Sequence, residues 1–343
     1  MKHDNKNIIK TQKNVTIKDI AKIAGVSHTC VSRALLDKED IGKETKNIIR
    51  KLAEEMNYQP DDIARNLVSR STRTIGVFIN SFRNPRDGET IQALSEEIER
   101  RGYSLVIYTR EKTPTDRAIN LMLRKKVEGI VFFTMAFWDY KGNVPAVFCG
   151  NDAYDKVPDF VTIDRAKGVF CAVEYLMRLG HKDFAFLCHP NTRQSINRNT
   201  KFKGFRDALV KNGLPLRDEW IIDGVGFVED GYDKTKKLLK NKMPTAIFYN
   251  GDSAAIGGMA ALAEEGVKIP DDVSVVGFDN IAMSRYTIPS LTTIERPVSH
   301  MIAEAVKILF ERMENPDSSM KHKILIPRLI IRNSTGPANF QKG

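Results

Sequence analysis

The stretch Thr16-Ile17-Lys18-Asp19-Ile20-Ala21-Lys22-Ile23-Ala24-Gly25-Val26-Ser27-His28-Thr29-Cys30-Val31-Ser32-Arg33-Ala34-Leu35 decides how the first part of the chain folds. Thr16 can cap a helix, and Asp19 in its opening turn lies near the positive end of the helix dipole. Ile17, Ile20, Ala21 and Ala24 fall on one face. Gly25 permits the positive φ that a sharp turn between helices needs. Ser27 can cap a second helix, from which Val31 and Leu35, with Val26 before it, point back to the core. Ala21 is small enough to let the two helices cross closely, and β-branched Val31 fills their junction. The opposite face of the second helix carries His28, Thr29, Ser32 and Arg33. In a helix-turn-helix, residues early in the second helix face base edges in the major groove. Arg33 has the fork that matches guanine O6 and N7, and His28 and Thr29 can donate or accept. Thr16 and Ser27, at the two helix starts, join them as candidate DNA contacts. The same side chains would also suit the solvated face of a small helical bundle. The small-residue, glycine and apolar spacings agree together, and that agreement favours DNA.

Charge points the same way. The formal net charge is +10, and residues 1–73 hold 15 Lys/Arg against 10 Asp/Glu. A basic segment attracts phosphate backbones and steers association. Composition is ordinary for a globular protein (42% hydrophobic, 28% charged), and 343 residues are too many for one typical domain. No apolar run is long enough to span a membrane. Residues 1–14 are polar and lysine-rich and do not read as a secretory signal. The expected location is the cytoplasm. Cys30, Cys149, Cys171 and Cys188 are scattered among apolar neighbours with no CxxC pair, so reduced, buried cysteines are expected.

From Thr74 onward the pattern changes. Short apolar strands (75–79, 104–108, 129–133, 146–148, 184–188, 246–249 and 273–277) alternate with amphipathic helices (90–101, 117–125, 168–179, 202–212, 231–239 and 254–265). Strands apolar on both faces imply parallel sheets covered by helices. Gly102, Gly180, Gly213 and Gly266 suit left-handed helix C-caps. The series restarts after Gly180-His181, which predicts two Rossmann-like lobes rather than one large sheet. Between the two regions, residues 59–73 read as a linker. In it, Asp61 can cap a short helix from Asp62 to about Ser69, with Ala64 on one side and Leu67 as a lone apolar residue. Arg70 and Arg73 are placed for phosphates, and would equally suit solvated linker charges.

Over essentially its whole length the chain resembles the LacI/GalR family of bacterial repressors. The resemblance rests on 15–76, including Asn57-Tyr58-Gln59-Pro60 and Ala64-Arg65-Asn66-Leu67, on Val275-Val276-Gly277-Phe278-Asp279-Asn280, on Pro289-Ser290-Leu291-Thr292-Thr293-Ile294, and on Pro327 to Thr335. It implies an all-α headpiece (1–60), a hinge (61–73), and an α/β, periplasmic-binding-protein-like sensing and dimerisation domain (74–343). The lobes would be about 74–163 with 297–324, and 164–296 with 325–343. It implies a sequence-specific transcriptional repressor, not an enzyme, acting as a homodimer on double-stranded operator DNA. In such proteins the hinge folds on the operator and a leucine, here Leu67, wedges into the minor groove. An isolated helix so short is unstable in water, so its folding could relay a signal. The residues after Ser334 (Thr-Gly-Pro-Ala-Asn-Phe-Gln-Lys-Gly) hold no heptad, so no further joining of dimers is expected from them.

The resemblance also implies a small-molecule effector, sugar-like, in the crevice between lobes. Asp279 would bond ligand hydroxyls or ring nitrogens. Asn250 and Asp252, Asp164 and Asn80 follow other strand ends, and Phe227 would stack on a ring. The chain departs from the pattern at three places. Asn250-Gly251-Asp252 replaces an adjacent Asn-Asp. Lys201 stands where an arginine usually clamps the ligand, which keeps the charge and loses the fork; Arg198 or Arg193 could substitute. Arg86-Asp87 replaces an aromatic pair, and Arg86 beside Lys201 would favour an anionic ligand such as a phosphorylated sugar. A purine or a protein corepressor is the alternative. An enzyme is disfavoured by the lack of GxGxxG, GxxxxGK[ST], GxSxG and HExxH. The six histidines show no metal spacing, so neither cofactor nor metal is expected. A sugar-transport protein would share the two-lobed fold but has no use for a helix-turn-helix.

Overall fold

The computed structural model describes residues 15–58, 71–133, 140, 142–150, 159–189, 200–240 and 243–339. The chain divides into two units, Met1–Ser71 and Thr72–Gly343. The expected hinge helix, with Ala64, Leu67 and Arg70, lies outside the described residues, as does Arg198.

The first unit holds α1 (Ile17–Ala24), α2 (His28–Leu35) and α3 (Lys43–Glu55). Thr16 and Asp19 close a capping box: the Thr16 amide and hydroxyl both donate to the Asp19 carboxylate, at 2.9 and 2.7 Å. Gly25 turns the chain at φ +66°, and the Ser27 hydroxyl accepts from the Cys30 amide at 3.1 Å to start α2. The core is small: Ile20, Ala21, Val31, Ala34, Ile49 and Ala53, with Val26 and Leu35 packed against it.

The second unit is two parallel-stranded sheets with helices on their faces. The first sheet runs β11-β5-β4-β3-β1-β2, from β1 (Thr74–Ile79), β2 (Ser104–Thr109), β3 (Gly129–Phe132), β4 (Ala146–Cys149), β5 (Phe160–Ile163) and β11 (His322–Leu325). The second runs β12-β10-β9-β8-β6-β7, from β6 (Phe184–Leu187), β7 (Ile221–Ile222), β8 (Ala246–Tyr249), β9 (Ser274–Asp279), β10 (Thr292–Glu295) and β12 (Arg328–Ile330). All described pairings are parallel except β10 with β12, an antiparallel edge that the strand pattern did not suggest. The chain crosses between lobes after β5, after β10 and between β11 and β12. The helices are α4 (Pro85–Glu99), α5 (Thr115–Arg124), α6 (Arg165–Arg178), α7 (Thr200–Lys211), α8 (Val228–Leu238), α9 (Asp252–Glu264) and α10 (Val298–Glu314).

Two-lobed α/β architecture is as expected, and Gly102, Gly180, Gly213 and Gly266 all have positive φ. Several boundaries differ. The helix expected from Thr90 begins at Pro85, because Asn84 caps it (its side chain accepts from the Arg86 amide at 3.1 Å) and proline suits the first turn. Arg86 is therefore helical. β9 extends to Asp279, so that residue ends the strand rather than following it. Cys149 and Cys188 are buried, but Cys171 is exposed on α6, contrary to expectation. α6 and α7 touch so closely that a Cβ on Gly204 would lie 2.1 Å from the Ala166 carbonyl oxygen. Among the described residues no helix is long and apolar enough to cross a membrane.

Candidate functional site

Two surfaces gather the candidate residues. In the first unit, His28, Thr29 and Arg33 are exposed along α2, with Ser32 half-buried beside them. Arg33 donates from Nε to Asp40 at 2.8 Å, a solvent-exposed pair that leaves the rest of the guanidinium available. Thr16 and Ser27 are engaged as helix caps and are themselves exposed at the helix starts.

In the second unit, charged side chains from both lobes meet at the carboxyl ends of the strands. Arg86, at the start of α4 in the first lobe, reaches Asp279 in the second at 3.4 Å and Asp87 at 3.0 Å. Burial works against its charge, yet Asp279 and Asp87 more than offset it, so its proton is held more tightly than usual. Asp279 is 5% exposed and sits at φ +111°. A residue with a β-carbon is strained there, and such strain persists where the surroundings over-determine a side chain's aim. Among the described residues its Oδ1 has no hydrogen-bond partner. Gly251 fits this arrangement, because a Cβ there would stand 3.3 Å from the Asp279 carboxylate. That is a physical reading of the inserted glycine in Asn250-Gly251-Asp252.

Lys201 is buried on α7. Its ammonium donates to the Asn250 carbonyl and lies 3.8 Å from the centre of the Phe278 ring. Burial pulls its pKa down to about 7, opposed by Asp279. Arg296 escaped the sequence reading. It follows β10 at a lobe crossover, is 9% exposed, and stands 3.9 Å from the Asp279 carboxylate. Burial lowers its pKa to about 10. The usable signal was its position directly after a strand and before Pro297. Arg165, at the crossover after β5, lies near enough to depress both Lys201 and Arg296.

The other candidates sit differently. Asp252 is fully buried at the start of α9, where it accepts from the Ile281 amide at 2.9 Å and bonds the Thr293 hydroxyl. Burial and then the Asp279 charge push its pKa up to about 8. It props the turn after β9 rather than facing a ligand. Asp164 caps α6 through the Lys167 amide at 2.9 Å. Asn80 is exposed at the end of β1. Neither has a hydrogen bond to the cluster among the described residues. Phe227 precedes α8 with the Arg83 guanidinium 4.0 Å over its ring, a contact across the lobes. The Ala282 amide donates to Glu89 at 3.0 Å, and the Ser253 hydroxyl lies 3.5 Å from Asn84, so the start of α4 is held against the second lobe. His181 closes on the Gly336 carbonyl at 3.0 Å and is remote from any of this chemistry. No group of three or more metal-ligating side chains forms among the described residues.

Comparison with known proteins agrees with both units. Residues 16–61 match the family described as "Bacterial regulatory proteins, lacI family", and residues 173–335 match "Periplasmic binding protein-like domain". The chain is 32% identical over 329 residues to the HTH-type transcriptional repressor PurR of Pasteurella multocida, covering 93% of this chain and 98% of that protein. Among solved structures it resembles the Lac repressor dimer bound to operator and the anti-inducer ONPF, with TM-score 0.82, 26% identity, and coverage of 94% of this chain and 100% of that one. A LacI family transcriptional regulator from Enterococcus faecium with bound ribose aligns at TM-score 0.68 and 25% identity, over 78% of this chain and 100% of that one.

Proposed function

The chain belongs to the lacI family of bacterial regulatory proteins, DNA-binding repressors that are not enzymes, and we propose that its operator affinity is set by a small, sugar-like effector held between the lobes of its second unit. One observation carries this reading: Lys201, Asp279 and Arg296, all buried, and Arg86, half-buried, converge from both lobes and a crossover. Burying such charges costs several kcal/mol each unless they are paired, and neither sheet needs them there. Ribose bound to the Enterococcus faecium protein supports the sugar-like assignment.

On the DNA side, His28, Thr29, Ser32 and Arg33 read the major groove, and a hinge over 62–69 inserts Leu67 into the minor groove. The protein acts as a homodimer in the cytoplasm, because a near-palindromic operator mirrors a two-fold axis. The operator-bound dimer of the Lac repressor supports that assembly. A second reading, a purine in place of a sugar, is favoured by the Phe227 ring at the lobe boundary, where a flat base would stack. The test is selection of a bound site from random DNA with the full-length protein, followed by titration with sugars and purines. A near-palindromic site, binding that falls steeply with salt, and a metabolite that changes operator affinity are expected. Binding indifferent to sequence, or affinity that no metabolite alters, overturns the proposal.

A further inference from the structure

Resting on the reading of Arg33 as a base contact, we propose that Asp40 is the positioning residue for that contact. It holds Nε of Arg33 so that Nη1 and Nη2 are presented together to a guanine, and so sets how strongly the protein prefers that base.

The placement begins at the end of α2. The Asp37 amide donates to the Ala34 carbonyl at 3.1 Å and the Lys38 amide to the Arg33 carbonyl at 3.0 Å, with Asp37 itself at φ +56°. This is a left-handed helix stop, with aspartate where glycine is commoner. It reverses the chain. The Ile41 amide then donates to the Lys38 carbonyl at 3.3 Å, so Glu39 and Asp40 stand at the corner of a second turn. That corner brings Asp40 back beside Arg33, seven positions earlier in the chain. The loop is also tied to α3. The Asp37 carboxylate accepts from Lys46 at 3.0 Å and from Arg50 at 2.9 Å, and Lys46 donates to the Asp37 carbonyl at 3.2 Å.

Asp40 takes one nitrogen of the guanidinium and leaves two. It accepts from Nε at 2.8 Å, and among the described residues Nη1 and Nη2 have no hydrogen-bond partner. Those two nitrogens are the fork that guanine O6 and N7 accept side by side. The hydrogen bond from Arg33 keeps the Asp40 carboxyl below the usual carboxylate range, so it is ionised near neutrality. In water the exposed pair is weak. It gains weight when DNA excludes that water, because the same charges then attract in a lower dielectric. Guanine is reached with the pair intact. A phosphate lies along the groove wall rather than over the base edges. To reach one the fork must turn aside, which breaks the pair and leaves a carboxylate beside the negative backbone. Asp40 thus favours the base contact over the phosphate contact that any sequence offers.

Glu39 supplies the control. It shares the corner, is exposed, and forms no ion pair among the described residues.

The test uses the full chain and a site selected from random DNA, changed one base pair at a time, beside non-operator DNA over a range of salt. Asp40→Ala should lower the preference at the base pair read by Arg33 by about threefold or more, where Arg33→Ala lowers it on the order of tenfold. Preferences at other base pairs should stay as they were. The same variant should bind non-operator DNA more tightly, with a salt dependence steeper by about one ion, because Arg33 is freed for a phosphate. Opposite signs on the two kinds of DNA cannot come from a damaged fold. In an Arg33→Ala background, Asp40→Ala should alter no preference further. Glu39→Ala removes the same charge from the same corner without touching Arg33, and should strengthen binding to every sequence alike. Unchanged preference in Asp40→Ala, an equal loss in Glu39→Ala, or a further loss in the double variant each overturns the proposal while Arg33 remains a base reader. If Arg33→Ala itself leaves every preference unchanged, the base contact is wrong and the positioning role is overturned with it.

Discussion

The helical unit displays its candidate contacts in water, while the two-lobed unit encloses them. His28, Thr29 and Arg33 are exposed, and the partner of Arg33, Asp40, is exposed as well. Exposed pairs of this kind are weak, so exchanging Asp40 for a base edge or a phosphate costs little. Lys201, Asp279 and Arg296 have already lost most of their water on folding. They are held at the strand ends and crossovers of the two sheets. Display suits a partner as large and highly charged as DNA, which supplies the desolvation itself on arrival. Enclosure suits a small ligand, because the site is organised before the ligand enters, at a standing cost in stability.

If that contrast is right, the two units should fail separately. Among the described residues the helical unit has a core of six buried apolar residues. Ile20→Ala should cost it about 2–5 kcal/mol, comparable to all the stability so small a unit has. Operator binding should be lost, while the melting transition of the second unit stays where it is. Calorimetry of the variant separates the two, and a downward shift of both transitions would show that the units depend on each other. A smaller effect is expected from display alone. Arg33→Ala should leave both transitions in place, weaken the matched operator on the order of tenfold, and relax preference at one base pair per half-site. Unchanged relative affinities across operator variants would show that Arg33 contacts no base.

The same contrast explains what the sequence made legible. The helix-turn-helix is local: Thr16, Asp19, Gly25 and Ser27 cap and turn within a dozen residues, so their roles follow from spacing. The two sheets were legible because their strands are apolar on both faces. The enclosed site is a long-range object: Arg86 and Asp279 meet across 193 positions. Without a family pattern, neither residue announces the other. Arg296 shows the limit, since an arginine between a strand and a proline reads as a surface charge until the crossover folds it inward. Asp252 shows the converse. As an acid at a strand end it reads as a ligand contact, but its hydrogen bonds to Ile281 and Thr293 turn it inward.

Asp252 also gives the mildest test of enclosure, through pH. Its pKa is pushed from about 3.8 up to about 8 by burial and by Asp279. Between those values the folded protein keeps a proton that the unfolded chain releases. Its contribution to stability is thus fully present below about pH 4 and is lost as pH rises through about 8. Asparagine can mimic the protonated acid, with its oxygen accepting from the Ile281 amide and its nitrogen donating to the Thr293 hydroxyl. Asp252→Asn should therefore melt close to wild type near pH 5 and overtake it by at least about 2 °C near pH 8.5. The difference between the two proteins is the quantity to follow, because Lys201 works in the opposite direction. Its pKa, lowered to about 7, adds stability as pH rises from there towards about 10.5, equally in both proteins. The helical unit has no comparably enclosed acid among its described residues, so its transition should not respond to the substitution at any pH. A difference in melting temperature that stays constant from about pH 5 to 8.5 would mean that Asp252 is ionised throughout, and that the second unit tolerates enclosed charge far better than its geometry implies.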